Sequence, residues 1–452
     1  MKKLVFSLFA FIFTLVVSAQ SFETGQFGYG TISGSNDLDM LSAANLSANY
    51  ADHISLNTAN ENALKFINAR IATGHKTMHK APLSQTDLNL CAVRPNMYIF
   101  NVGRSEGFVV TSASSLTHPV LCYSPEGQWD DNVSEALGWL FEQYDAEIAE
   151  ARQNVMNAAG ASSSVSKRPI EPLIKTLWHQ WEPYYDKLTT FTRGGNTYHV
   201  PTGCVATAMA QIMNYHQWPK TIKQDIPGYN HGQVVGDDAV EVKIDGVPAG
   251  TVIDWDNMNE EIVWPDSRPE AIDAVSNLMY YCGAAVKMYY SEYESSSHNL
   301  TAMYALKHYF DYDPTIYIAN RANYSYYDWC NMLYNELSAG RPILYNGQSN
   351  YGGHSFIIDG YDGNEMFHFN LGWNGVNSSV YAILSSVGHN SAIDNPDAYD
   401  SPDGYVYHQT AVMNVQKAGL SDGVYHVSLT CDEINITGES MSCVYFNNED
   451  EP

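Results

Sequence analysis

The order of its periodicities constrains this fold most. Helical spacing fills the middle of the chain, with helices expected over 204–217, 267–282, 299–310 and 325–339, the last closed by Gly340. Five short β-rich segments then follow, PILY (342–345), SFIID (355–359), MFHFN (366–370), VYAIL (380–384) and TAVMNV (410–415), separated by Gly, Asp or Asn. Helices first and antiparallel strands afterwards give an α+β catalytic-size unit, a helical half and a strand half facing across a cleft. Upstream, MYIFNV (97–102), GFVVTS (107–112) and PVLCYS (119–124) predict a small sheet. A helix is expected behind it, with Asn132 and Glu135 at capping-box spacing. GASSSVSKRP (160–169) has the composition of an exposed linker and marks a boundary. The expected organisation is therefore 1–19, 20–168, 169–417 and 418–452, the last the start of a further β segment.

The first stretch, MKKLVFSLFAFIFTLVVSAQ, places two lysines before an apolar run that ends in Val17-Ser18-Ala19, the small-residue pattern of a signal peptide cut after Ala19. Export is the expectation, with no membrane span once that segment is removed. The 23 Lys and Arg against 50 Asp and Glu give a formal charge of −27, which opposes binding to nucleic acid or an anionic membrane. Seven cysteines are an odd number, so an exported chain keeps at least one thiol unpaired. Cys282 and Cys330 lie in amphipathic helices and read as core thiols, whereas Cys431 and Cys443 could pair. HExxH, GxSxG and CxxC are absent, and DGYDG lacks EF-hand spacing and reads as turns, so no metal or organic cofactor is expected.

Chemistry concentrates in PTGCVATAMAQIMNYHQWP (201–219). Val205, Ala208, Met209, Ile212 and Met213 form a helical stripe that puts Cys204 at the helix N-terminus. Free amide N–H groups and the positive end of the dipole stabilise a thiolate there. Gly203 lets backbone approach a substrate carbonyl, and the Cys204 N–H can donate to an oxyanion. A cysteine nucleophile needs a base, and His354 in YGGHSFIIDGYDG opens a buried strand after two glycines, Gly353 the nearer. A turn at Asp362-Gly363 would fold 355–359 onto 366–370 and return Asn370 towards His354, where its amide is expected to accept the imidazole N–H.

These motifs, with FHFNLGWNG, resemble the streptopain family of papain-fold cysteine peptidases over roughly Glu171 to Val415, and residues 90–168 resemble that family's propeptide. The resemblance implies a secreted zymogen whose propeptide is its own intramolecular inhibitor. It implies a dyad of Cys204 and His354, and an endopeptidase of proteins and peptides preferring a hydrophobic residue two positions before the scissile bond. WHQWEPYY (178–185) is similar to the segment carrying the family's oxyanion-hole glutamine, which falls on Gln180. Family members often read Asn-Trp-Gly-Trp where this chain has Asn370-Leu371-Gly372-Trp373. Trp373 is the aromatic expected to shield His354 and Asn370. Gly203, Gly353 and Trp373 are the expected substrate contacts. The competing reading is a secreted binding or adhesive protein that keeps the fold without turnover, against which the intact Cys204 and His354 speak.

Overall fold

The computed structural model describes residues 32–33, 50–72, 82–129, 135–154, 167–193, 196–235, 238–263, 267–292, 294–349, 352–373, 379–385 and 409–420. The expected signal peptide, Asn132, most of the 160–169 linker, and Cys431 with Cys443 lie outside these residues. Among the described residues no helix is long and apolar enough to cross a membrane.

The N-terminal part supplies β1 (Ile32–Ser33), α1 (Leu56–Ala72), β2 (Leu88–Arg94), β3 (Met97–Val102), β4 (Phe108–Ser112), β5 (Val120–Ser124) and α2 (Glu135–Asn154). After the hairpin β6 (Thr190–Arg193) and β7 (Asn196–His199) comes α3 (Cys204–His216), then the hairpin β8 (Tyr229–Val235) and β9 (Asp238–Ile244), and α4 (Pro269–Ala285) and α5 (Asn299–His308). β10 (Tyr317–Asn320) and α6 (Tyr326–Ser338) lead into β11 (Ile343–Ser349), β12 (Gly352–Tyr361), β13 (Phe367–Asn370), β14 (Ser379–Ala382) and β15 (Thr410–Met413). The helices begin where the residues favour it. Pro269 opens α4, where its missing N–H costs nothing, and the Ser325 hydroxyl accepts the Asp328 N–H at the start of α6. Gly340, at φ 73°, follows the end of α6 as a left-handed residue.

The expected boundary near residue 168 is not a boundary in the sheet. One eleven-stranded sheet runs β1-β2-β3-β4-β5-β14-β13-β12-β11-β15-β10, and the N-terminal strands join the later ones where Tyr123 and Cys122 of β5 pair antiparallel with Tyr381 and Ala382 of β14. Strand polarity explains why the periodicity could not show this. β5 is buried throughout and β14 alternates buried with half-buried residues, so neither pattern names the other strand as its neighbour.

β12 reads SFIID because both of its faces are covered. Phe356 and Ile358 belong with Tyr345 and Trp329 to a core shared with the N-terminal segment, while Ile357, Leu344 and Val412 join the core of the helical half. Side chains alternate faces along a strand, so adjacent apolar residues require two apolar neighbours. α2 and α6 pack on β11 and β12 from one side, and α3 packs on β12 from the other.

Candidate active site

Cys204 is the first residue of α3, and half-buried. The turn before it is held by the chain itself. The Thr202 N–H donates to the Gln180 carbonyl at 3.1 Å, the Thr202 and Thr207 hydroxyls meet at 2.8 Å, and the Thr207 hydroxyl donates to the Gly203 carbonyl at 3.0 Å. Gly203 has φ 85°, and a Cβ there would stand 2.9 Å from the Ser295 carbonyl oxygen and 2.7 Å from the Met288 thioether, so both backbone and space require glycine. The thiols of Cys122 and Cys282 are fully buried, and burial pushes both well up. Burial pushes the Cys330 thiol up to about 12. These are neutral sulfurs at any ordinary pH, and none sits at a helix start.

His354 is the third residue of β12, 2% exposed. Its Nε2 lies 3.1 Å from the Leu371 carbonyl oxygen. A carbonyl only accepts, so that nitrogen carries the hydrogen, and in the neutral ring Nδ1 is the basic atom. His354, Cys204, Gln180, Gly353, Trp181 and Trp373 line one cleft of about 150 Å³.

Asn370 does not do what its spacing suggested. The β12–β13 turn forms at the expected place, with Gly363 at φ 88° and the Asp362 carboxylate accepting the Asn364 and Met366 N–H groups at 2.7 and 3.1 Å. The register, however, pairs Asn370 with Ile357, three residues from His354. An odd offset sends the two side chains to opposite faces of the sheet. Asn370 instead forms a reciprocal amide pair with Gln211 of α3, at 3.2 and 3.3 Å. It also donates to the Thr176 carbonyl at 3.1 Å and accepts the Gly372 N–H at 3.1 Å. The imidazole partner is the next residue's backbone, Leu371.

Gln180 is 9% exposed and lines the cleft. Its neighbour His179 is neutral, burial lowering its pKa to about 4, and its Nδ1 accepts the Trp181 N–H at 3.2 Å. Trp373 has no His354–Asn370 bond to shield. It meets Trp181 edge to face, ring centres 6.4 Å apart, and the two give the cleft an aromatic wall.

Sequence reasoning missed Trp181, Gln211, the Leu371 carbonyl and the polar wall Glu294–His298. Gln211 carried a readable signal: an amide within a buried apolar helix face needs a partner. A backbone carbonyl carries none. Among the described residues no cluster of His, Cys, Asp and Glu could hold a metal ion.

With this geometry established, known proteins locate it. Residues 178–381 match the Peptidase C10 family, and residues 51–148 match the family described as Spi protease inhibitor. Streptopain of Streptococcus pyogenes serotype M28 is 28% identical over 348 residues, covering 72% of this chain and 83% of that protein. The thiol protease/hemagglutinin PrtT of Porphyromonas gingivalis is 28% identical over 309 residues, covering 64% of this chain and 34% of that much longer protein. Among solved structures, a fragment of Prevotella intermedia prointerpain A superposes with a TM-score of 0.58 at 24% identity, covering 75% of this chain and 99% of the fragment. The last likeness bears on the fold.

Proposed function

The chain is a cysteine peptidase of the streptopain family, and on that premise we propose that it is a secreted endopeptidase made as a zymogen, with Cys204 as nucleophile and His354 as general base. One observation carries the reading: a half-buried thiol at a helix N-terminus and a buried histidine with its Nε2 tied to a carbonyl line the same cleft. The Cys204 sulfur attacks the peptide carbonyl carbon, and the oxyanion takes hydrogen bonds from the Cys204 N–H and the Gln180 amide. As the C–N bond breaks, the imidazolium of His354 gives its proton to the leaving amine. Water then loses a proton to His354 and attacks the thioester carbon, which releases the acid and restores the thiolate. The Leu371 carbonyl keeps the ring oriented throughout, and Asn370 acts by fixing the turn that carries it.

Residues 20–168 are the proposed propeptide, and the match of 51–148 to an inhibitor family supports an intramolecular inhibitor. Activation would cut within 160–172. Ile170 exchanges both backbone bonds with Tyr361, at 2.7 and 2.8 Å, and Pro169 lies against Gly363. The Tyr334 hydroxyl donates to the Arg168 carbonyl at 3.3 Å, so these residues are already docked on the catalytic side. Secretion rests on the N-terminal signal pattern. A hydrophobic residue two positions before the scissile bond is the preference the family resemblance suggests, and Trp181, Pro201 and Trp373 supply apolar cleft surface.

The test is digestion of a peptide library and a denatured protein by the processed enzyme and by Cys204→Ala and His354→Ala. Both variants are expected to lose hydrolysis while melting at the wild-type temperature, because the pair acts as a unit. Turnover by purified Cys204→Ala overturns the proposal.

A further inference from the structure

The cleft has two unlike walls. Trp181 and Trp373 make one aromatic, whereas the segment between α4 and α5 contributes Glu294, Ser295, Ser296, Ser297 and His298, with no apolar side chain among them. We propose that this polar wall is a subsite for a cationic side chain of the substrate, lysine or arginine, with the Glu294 carboxylate as its counter-charge. The inference rests on the peptidase reading and narrows its substrate class.

Three observations carry it. Glu294 is held as a presenting group: its backbone N–H donates to the Ser291 hydroxyl at 3.3 Å and its carbonyl accepts that hydroxyl at 2.5 Å. Its exposed carboxylate has no hydrogen bond or ion pair among the described residues, and no lysine or arginine lines the cleft to neutralise it. Ser295, 4% exposed, lines the same cleft, and its Oγ is buried without a partner. A buried hydroxyl left unpaired is costly, and a substrate donor that satisfies it recovers that cost on binding. The wall also abuts the nucleophile. The Ser295 carbonyl oxygen stands 2.9 Å from where a Cβ of Gly203 would be, so a side chain seated here belongs to a residue near the scissile bond. Serines and an acid recognise an ammonium or guanidinium through charge-assisted hydrogen bonds, and they offer an aliphatic side chain nothing. The formal charge of −27 adds a field that draws cationic peptides towards the cleft.

The test uses the processed full-length enzyme and peptides that differ only by lysine or norleucine at each of the four positions before the scissile bond. We expect one position at which kcat/KM for lysine exceeds that for norleucine by roughly threefold to tenfold, the scale of a partly exposed ion pair. That ratio should fall towards one in Glu294→Gln, invert in Glu294→Lys, and shrink as salt is raised. Equal use of the two residues at every position, or a lysine preference unchanged in Glu294→Gln, overturns the subsite. If wild type cleaves none of the peptides, or Cys204→Ala cleaves them equally, the peptidase reading itself fails, which is a different result.

Discussion

The two faces of β11 and β12 meet different neighbours. On one face Leu344, Ile357 and Val412 pack against the helical half, and two polar clusters interrupt that apolar contact, Thr176–Gln211–Asn370 and Asn299 with Ser355 and Thr410. On the other face Tyr345, Phe356 and Ile358 meet a core shared with the inhibitor-like segment, and polar bonds cross that contact. The Tyr144 hydroxyl donates to the Ile383 carbonyl at 2.6 Å, the Gln143 amide donates to the Leu384 carbonyl at 2.7 Å, and a buried ion pair joins Arg70 to Asp362. A contact that must hold for the life of the enzyme is built from packing. If activation releases the inhibitor-like segment as proposed, water can satisfy the polar groups of the second contact once it opens. His354 takes part in this contrast. It pairs with Gly347, so its side chain and the space above Gly347 share a face, and Trp139 of α2 occupies that space within 2.2 Å of where a Cβ would be. The inhibitor-like segment therefore seats an indole on the face of the sheet that carries the proposed base.

Removing that indole should break the contrast most. Trp139→Ala leaves a cavity between α2 and β11, and the precursor is expected to lose about 3–5 kcal/mol, as for other buried tryptophans. The processed enzyme, which lacks the residue, loses nothing. Differential scanning of uncut precursor carrying Cys204→Ala measures this, and an unchanged melting temperature would show that α2 is not held through Trp139. Arg70→Met comes next. It leaves the Asp362 carboxylate buried without its partner, at a cost of about 3 kcal/mol to the precursor. An inhibitor-like segment that binds the processed enzyme in trans should weaken to match, read by titration.

Acid should sharpen the same comparison from the helical side. Burial depresses the His179 pKa to about 4, whereas in the unfolded chain it is about 6.5, so the unfolded state takes up the proton first as pH falls. Stability is full above pH 6.5 and is lost as pH drops towards 4, with on the order of 2 kcal/mol from this residue after allowance for its partial solvation. His179→Phe should flatten the slope of melting temperature against pH across that window. A slope unchanged by the substitution would place the acid sensitivity elsewhere.

Much of this was legible in the chain. The helices appear within a few residues of their predicted spans because apolar stripes and caps are local, and the five late strands appear because β-formers between Gly and Asp are local too. Cys204 at the head of α3 followed from one stripe. What the sequence withheld was pairing. Nothing in VLCYS or SVYA states that β5 and β14 lie side by side, and the β12–β13 turn alone did not fix the register that turns Asn370 away from His354. A β-bulge between Ile358 and Gly360 shifts the pairing, and a shift of one residue reverses every facing side chain. The Leu371 carbonyl was invisible for a simpler reason: every residue has one.

The smallest expected effect belongs to Asn370, and it tests whether the two faces communicate. Its amide lies on the helical face and reaches His354 only through the turn, by accepting the Gly372 N–H and so fixing the peptide that offers the Leu371 carbonyl. Asn370→Ala should cost about 1–2 kcal/mol of stability, because the Gln211 amide is left partly unpaired in the core. Turnover should fall roughly tenfold, at the low end of what a misplaced general base costs. Gln211→Ala breaks the same pair from α3 and should do nearly the same. The double variant should then be little worse than either, since one interaction cannot be lost twice. The pH profile of kcat/KM separates this from direct contact. Acting through the turn, Asn370→Ala lowers the rate with the profile in place, and Gln211→Ala follows it. If Asn370→Ala alone shifts the limb assigned to His354, the amide must reach the imidazole in the working enzyme, and the processed β half must then adopt a register different from the one described here.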